Sequence, residues 1–211
     1  MSYDALKEAV IKGDVNTATA QTRQAVEAGD NPKEILDTGL VAAMDIVGEQ
    51  FSSGRIFVPQ MLRSAKTMQQ CVEILKPHFQ EGECGGMGKI VLGTVKGDLH
   101  DIGKNLVAMM LEGAGFQIID LGVDVSPEAF VQKVKEEDAK ILGMSALLST
   151  TMPGMATTIQ ALLDAGMRDA VKVMIGGAPV TSKYAEEIGA DSYSPDAGTA
   201  ALEAKKIFSV A

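Results

Sequence analysis

His100 is one of only two histidines in the 211 residues, and carboxylates flank it at Asp98 and Asp101. An imidazole with an Asp two residues earlier suits a metal ligand and its supporting partner. The carboxylate accepts the Nδ1 proton, fixes the tautomer and leaves Nε2 to donate to a metal. The plainer reading is a lone, solvated loop histidine. A phosphate-loop reading fails on spacing: five residues rather than four separate Gly97 from Gly103, and Asn105 stands where a metal-binding Ser or Thr is needed. A dinucleotide G-x-G-x-x-G is also missing. One histidine cannot hold zinc, which takes three or four protein ligands. A metal on His100 would draw most of its coordination sphere from outside the protein, as a macrocycle supplies it.

The surrounding sequence must position that loop. An apolar run at 89–93 leads into it and a helix-like run at 104–111 leads out. His100 then sits at the C-terminal end of a first strand, the edge where open α/β sheets bind ligands. From Lys89 onward, strand and helix patterns alternate. Strands are expected over 90–93, 117–120, 140–145, 172–175 and 191–193, and helices over 104–113, 127–137, 151–165, 182–188 and 197–208. Ser126-Pro127-Glu128 is a helix start with cap, proline and acidic first turn. The alternation predicts a parallel sheet covered on both faces, a flavodoxin-like (Rossmann-like) domain with five strands in the order 2-1-3-4-5 and a switch point between strands 1 and 3.

Residues 1–78 read as helix only, a bundle of about four. Asp14 can cap a helix running to Ala28, and Asn31-Pro32-Lys33-Glu34 opens another. Leu36, Leu40, Ala43, Met44 and Val47 follow helical spacing, as do Met61, Ala65, Met68, Val72 and Leu75. A methionine-rich stripe of this kind is ordinarily core. Residues 79–88 are glycine-rich and aperiodic, a linker. The expected organisation is a helical domain at 1–78, the linker, and an α/β domain at 89–211.

Composition narrows the setting. A hydrophobic content of 46% suffices for a core, and the net charge of −9 without a basic cluster argues against nucleic acid. The first residues lack signal-peptide character, and no apolar run approaches the roughly 18 residues of a membrane span. The two cysteines, Cys71 on a helical stripe and Cys84 in the glycine-rich stretch, make no metal pattern and suit a reducing compartment. The expectation is a cytoplasmic protein.

Three loops converge on one edge of the expected sheet: Asp98-Leu99-His100-Asp101-Ile102-Gly103 after strand 1, Ser145-Ala146-Leu147-Leu148-Ser149-Thr150-Thr151 after strand 3, and Gly176-Gly177-Ala178-Pro179 after strand 4. Each has a dull explanation alone, since hydroxyls cap helices and glycine pairs make turns. Together they describe a slot with a histidine at its mouth, hydroxyls along one wall and bare backbone on the other. This combination resembles the proteins that hold cobalamin base-off, whose signature D-x-H-x-x-G, S-x-L, G-G is met by Asp98–His100–Gly103, Ser145–Leu147 and Gly176–Gly177.

The resemblance covers nearly the whole chain and implies specific roles. His100 would be the lower axial ligand of cobalt, Asp98 its hydrogen-bond partner and Thr151 the third member of the relay, with Asp101, Ile102 and Gly103 completing that segment. Ser145, Leu147 and Ser149 would line a tunnel for the dimethylbenzimidazole tail, where relatives often have Thr for Ser149, and Gly176 and Gly177 would give the tail room. The segments 47–51 and 54–61 look like the helical cap of corrinoid proteins of methyltransferase systems and of the cobalamin module of methionine synthase. Phe51, Val58 and Met61 would there shield the methyl–cobalt bond. The implied cofactor is cobalamin, as methylcobalamin or a related corrinoid, with cobalt cycling between Co(I) and methyl-Co(III).

The chain is too short to add a TIM barrel. The implied partners are therefore a substrate-specific corrinoid methyltransferase, a second methyltransferase passing the methyl group to tetrahydrofolate or a thiol, and a reductive activator, with the linker as hinge. Methanol, methylamines, betaines and methoxylated aromatics are the donors of such systems. One rival is the cobalamin subunit of an adenosylcobalamin-dependent mutase, disfavoured by the methyltransferase-like helical segment. A cobalamin-sensing regulator would need a DNA-binding head, which the acidic start does not offer. A rival of another class is a signalling receiver domain with Asp98 as phosphoacceptor, which lacks the required Lys after strand 5, where Ser194-Pro195-Asp196 stands.

Overall fold

Helices first and alternating strands and helices afterwards is the order the chain builds. A computed structural model describes residues 2–79 and 88–210. The chain divides into two compact units, the helices before residue 80 and the elements from Gly88 onward, with residues 112–115 grouping with the first. Of the expected linker, residues 80–87 lie outside the described residues, and Cys84 with them. Pro77 belongs to a short 3-10 turn, Lys76–His78, and Gly88 opens the first strand.

The helical unit starts with α1 (Asp4–Lys12) and α2 (Val15–Glu27). The Asp14 carboxylate caps α2 by accepting from the Thr17 amide at 3.2 Å and the Thr17 hydroxyl at 2.7 Å. Asn31 caps the short α3 (Pro32–Glu34) through the Lys33 amide at 2.8 Å. The spacing of Leu36, Leu40, Ala43, Met44 and Val47 predicts an unbroken α-helix, but residues Ile35–Val41 form a π-helical segment before α4 (Ala42–Ser52). Its wider turn buries Ile35, Leu36, Gly39, Leu40 and Val41 together. The last helix of the unit, α5 (Val58–Leu75), carries a buried stripe of Met61, Ala65, Met68, Cys71 and Leu75. Cys71 is core as its spacing predicts, and burial pushes its thiol pKa up.

In the second unit β1 (Gly88–Thr94), β2 (Phe116–Asp120), β3 (Ile141–Ser145), β4 (Lys172–Gly176) and β5 (Ser192–Ser194) form one parallel sheet in the order β2-β1-β3-β4-β5. The intervening helices are α6 (Ile102–Gly113), α7 (Pro127–Glu137), α8 (Pro153–Asp164), α9 (Ser182–Ile188) and α10 (Ala197–Val210). Near-continuous apolar strands are what a sheet buried on both faces requires. On one face Val91, Leu142, Met144, Val173 and Ile175 pack with Phe130 and Val134 of α7 and Met155, Ile159 and Leu162 of α8. Each fully buried side chain of this size contributes roughly 1.5–3 kcal/mol. The order reverses at β1 and β3, so their C-terminal ends open side by side. Among the described residues no helix is long and apolar enough to cross a membrane.

Candidate functional site

The loop from β1 enters the site on a turn. The Asp98 amide donates to Val95 O at 3.1 Å, and the Gly97 amide donates to the Asp124 carboxylate at 2.7 Å. Asp98 then turns inward and is fully buried. An isolated carboxylate there would be costly, and the structure offsets this by surrounding it with donors. Oδ2 accepts from Thr151 Oγ1 at 2.6 Å, the Leu147 amide at 2.8 Å and the Leu148 amide at 3.3 Å. Oδ1 accepts from the His100 amide at 3.1 Å and lies 2.7 Å from His100 Nδ1. Burial alone would raise the pKa of Asp98, but the bonds from Thr151, Leu147 and His100 outweigh it and hold the carboxyl well below the ordinary carboxylate range. With Asp98 ionised, Nδ1 carries the proton, and Nε2 is the nitrogen available to a ligand.

His100 is held by its backbone as well, since Thr94 Oγ1 donates to its carbonyl at 3.0 Å. Its side chain is 50% exposed. Around it stand apolar side chains that the fold leaves in the open: Leu99 is 72% exposed, Ile102 85%, Leu147 41% and Leu148 43%. Asp101 is exposed and anchors the start of α6, where its carboxylate accepts from Asn105 Nδ2 at 3.1 Å. Gly103 has ordinary backbone, and a Cβ there would meet nothing within 4 Å. The fold does not need a glycine at 103.

The structure therefore brings Asp98, His100 and Thr151 into one hydrogen-bonded relay. Ser145, at the end of β3, is half-buried, and Ser149 is exposed in the loop that follows. The loop hydroxyls have a capping explanation, which does not hold for Thr151. Helix α8 begins at Pro153 without a side-chain cap, and the Thr151 hydroxyl turns to Asp98 instead. Gly177 is demanded by the fold itself, with φ of 134° and a would-be Cβ only 1.9 Å from Ala146 O. Gly176 and Gly177 are both half-buried at the end of β4. In the helical unit Phe51 is half-buried, Val58 is 39% exposed and Phe57 69% exposed. Met61 has no exposed surface and heads the buried stripe of α5.

Some participants carry no sequence signal. The amides of Leu147 and Leu148 are main-chain donors, so residue type does not reveal them. Lys104 is 2% exposed and pairs with Asp120 at the end of β2 while donating to Asn105 Oδ1 at 2.7 Å. It ties the first turn of α6 to the sheet. Asp196, after β5, caps α10 by accepting from the Thr199 amide at 2.8 Å. Among the described residues no cluster of three or more His, Cys, Asp or Glu side chains could hold a metal ion. One nitrogen donor, an apolar surround and a bare glycine fit a metal that brings its own equatorial ligands.

Comparison with known proteins agrees with this geometry. Two family models, both described as B12 binding domains, match residues 88–205 and 2–76. The chain belongs to the B12-binding family and carries both of its matched domains. It is 47% identical to dimethylamine corrinoid protein 1 of Methanosarcina acetivorans over 84% of each chain. It is 39% identical to trimethylamine corrinoid protein 2 of Methanosarcina mazei, over 97% of this chain and 94% of that one. The crystal structure of the methanol:cobalamin methyltransferase complex MtaBC from Methanosarcina barkeri contains a chain 28% identical, with a TM-score of 0.86 over 99% of this chain and 80% of that one.

Proposed function

We propose that this chain holds its corrinoid with the lower base displaced and His100 Nε2 in its place, and that it serves a methylamine methyltransferase system. The observation that carries the reading is the relay: a half-exposed imidazole whose other nitrogen is fixed by a buried carboxylate, itself fixed by Thr151 and two amides. When bound, the corrinoid supplies a cobalt centre that accepts a methyl group from a donor and yields it to an acceptor. The residues of this chain hold, orient and shield it. Asp98 would keep the Nδ1 proton in place and aim the ring so that Nε2 can hold the cobalt. Leu99, Ile102, Leu147 and Leu148 give the macrocycle an apolar bed and keep water from the ligating nitrogen. Ser145, Ser149, Gly176 and Gly177 border the space for the nucleotide tail.

The donor reading rests on the relatives, since the di- and trimethylamine corrinoid proteins are 39–47% identical and the methanol one 28%. The methyltransferase that activates a methylated amine is then a separate polypeptide. A second methyltransferase acting on the acceptor and a reductive activator complete the system. The receiver alternative finds no support, because Asp98 is buried with both oxygens engaged and cannot meet a phosphodonor.

The test is the absorption spectrum of the protein reconstituted with methylcobalamin, compared for wild type and His100→Ala. The wild type should show base-off, histidine-ligated cobalt, and the variant a base-off spectrum without the histidine. Identical spectra would overturn the ligand assignment. Methylation of the reduced, loaded protein by a methylamine-specific methyltransferase but not by a methanol-specific one would support the donor class, and the reverse would overturn it.

A further inference from the structure

The strand registers place four residues in a row across the C-terminal edge of the sheet: Thr94 pairs with Ser145, Ser145 with Gly176, and Gly176 with Ser194. Side chains alternate along a strand, and Val91, Met144, Ile175 and Tyr193 all face the core beneath α7 and α8. The row therefore faces the other side, toward α10. Spanning three strand spacings, roughly 14 Å, it offers three hydroxyls and a glycine and no bulky side chain. On the facing helix, Ala197, Gly198, Ala200, Ala201 and Ala204 are buried, none larger than a methyl group.

Two of the hydroxyls have accounts already. Thr94 donates to the His100 carbonyl, and Ser145 is half-buried beside the relay. Ser194 is different. It is 8% exposed, and its Oγ is the one buried side-chain polar atom among the described residues without a hydrogen-bond partner. An unmet hydroxyl in such a place costs stability, and folded proteins rarely leave one. It stands among small residues, one register step beyond Gly176, which has no side chain.

We propose that Ser194 is a binding residue for the nucleotide tail of the corrinoid, and that its Oγ hydrogen-bonds a polar group of that tail buried alongside β4 and β5. The inference rests on the reading that the tail enters this edge of the sheet, and it adds a contact on β5 beyond the β3 and β4 residues assigned above. The tail's partner is either a ribose or phosphate oxygen, common to all complete cobamides, or the polar edge of the lower base.

The test uses the full chain and three ligands: cobinamide, which lacks the nucleotide; cobalamin; and a cobamide with adenine as lower base. Affinities are read from absorbance titrations for wild type and Ser194→Ala. Wild type should prefer the complete cobamides over cobinamide. Ser194→Ala should weaken the complete cobamides by about fivefold to tenfold, the worth of one hydrogen bond, and leave cobinamide unchanged. Equal weakening of both complete cobamides assigns a group they share, a ribose or phosphate oxygen or the ring nitrogen freed from cobalt; a loss confined to the adenine form assigns that base's own polar edge. The thermal midpoint of the ligand-free variant should not fall, because the substitution removes an unsatisfied group, and a merely structural serine would lower it. A wild-type preference for complete cobamides that survives the substitution overturns the role of Ser194 alone. A wild type that binds cobinamide and cobalamin equally overturns the tail placement as well.

Discussion

Replacing Thr151 by Val removes one hydroxyl and almost no volume, which makes it the sharpest probe of the relay. The lost bond is 2.6 Å long, lies in a buried site and ends on an ionised carboxylate. Bonds to charged groups are worth about 1.5–3 kcal/mol, and the short, buried geometry points to the upper half of that range. Thr151→Val should therefore destabilise the protein by about 2–3 kcal/mol. In an Asp98→Ala background the same substitution should cost only about 1 kcal/mol or less, because the hydroxyl then has just the neutral Leu148 carbonyl, 2.9 Å away, to lose. The coupling of about 1–3 kcal/mol is read from equilibrium urea denaturation of the four proteins in the cycle. Hydrogen exchange at the Leu147 and Leu148 amides, which donate to the same oxygen, should quicken in Asp98→Ala. Costs that add to within about 0.5 kcal/mol would refute the claim that Thr151 acts through Asp98.

The same relay has a pH signature with a definite sign. The folded state holds the Asp98 carboxyl below its ordinary range, so the unfolded chain takes up that proton first as pH falls. The stabilisation is fully present above about pH 4, the usual carboxylate value, and is lost as pH falls from there through the depressed folded value. The stability gap between wild type and Asp98→Asn should be constant near neutrality and shrink only below about pH 4. In Thr151→Val the decline should start at the same pH but be smaller and end sooner, because with one bond fewer the folded carboxyl is held less far below its ordinary range. A gap that closes between pH 5 and 8 would point to a different group.

The glycines separate requirements of the fold from those of the ligand. Gly177→Ala should destabilise the protein by about 3 kcal/mol or more, because its Cβ would meet the Ala146 carbonyl oxygen at 1.9 Å on backbone with φ of 134°; an unchanged melting temperature would contradict that packing. Gly103→Leu should behave oppositely: its site is open and helical, so the ligand-free protein should gain up to about 1 kcal/mol while corrinoid binding falls, and full retention of binding would show that nothing approaches the first turn of α6.

Much of this could be read along the chain because parallel strands buried on both faces are nearly continuous apolar runs, and the runs ending at Thr94, Ser145 and Gly176 deliver their loops to one edge. His100 and Asp98 were legible for a local reason, since two residues of separation suffice for a side-chain bond. Thr151 was legible only through the family pattern, its partner lying 53 positions away. What stayed hidden depends on geometry that residue types do not encode. The π-helical segment at 35–41 buries neighbouring positions that an α-helical spacing cannot separate from its own. Lys104 reads as a surface cation until the fold sets Asp120 against it. Only the register with Gly176 shows Ser194 in line with Ser145 and Thr94.

A single carboxylate joins two loops that the topology merely sets side by side. Oδ1 of Asp98 holds the β1 loop through the His100 amide and ring, while Oδ2 holds the β3 loop through Leu147, Leu148 and Thr151. The ring's orientation is thus coupled to the β3 loop. Burying a charge to do this is expensive, and an apolar residue of similar size would pack without that penalty. Stability alone does not account for Asp98. A need to keep one imidazole nitrogen protonated and the other aimed outward does, and a neutral substitute at 98 that preserves folding should lose that control while leaving the sheet intact.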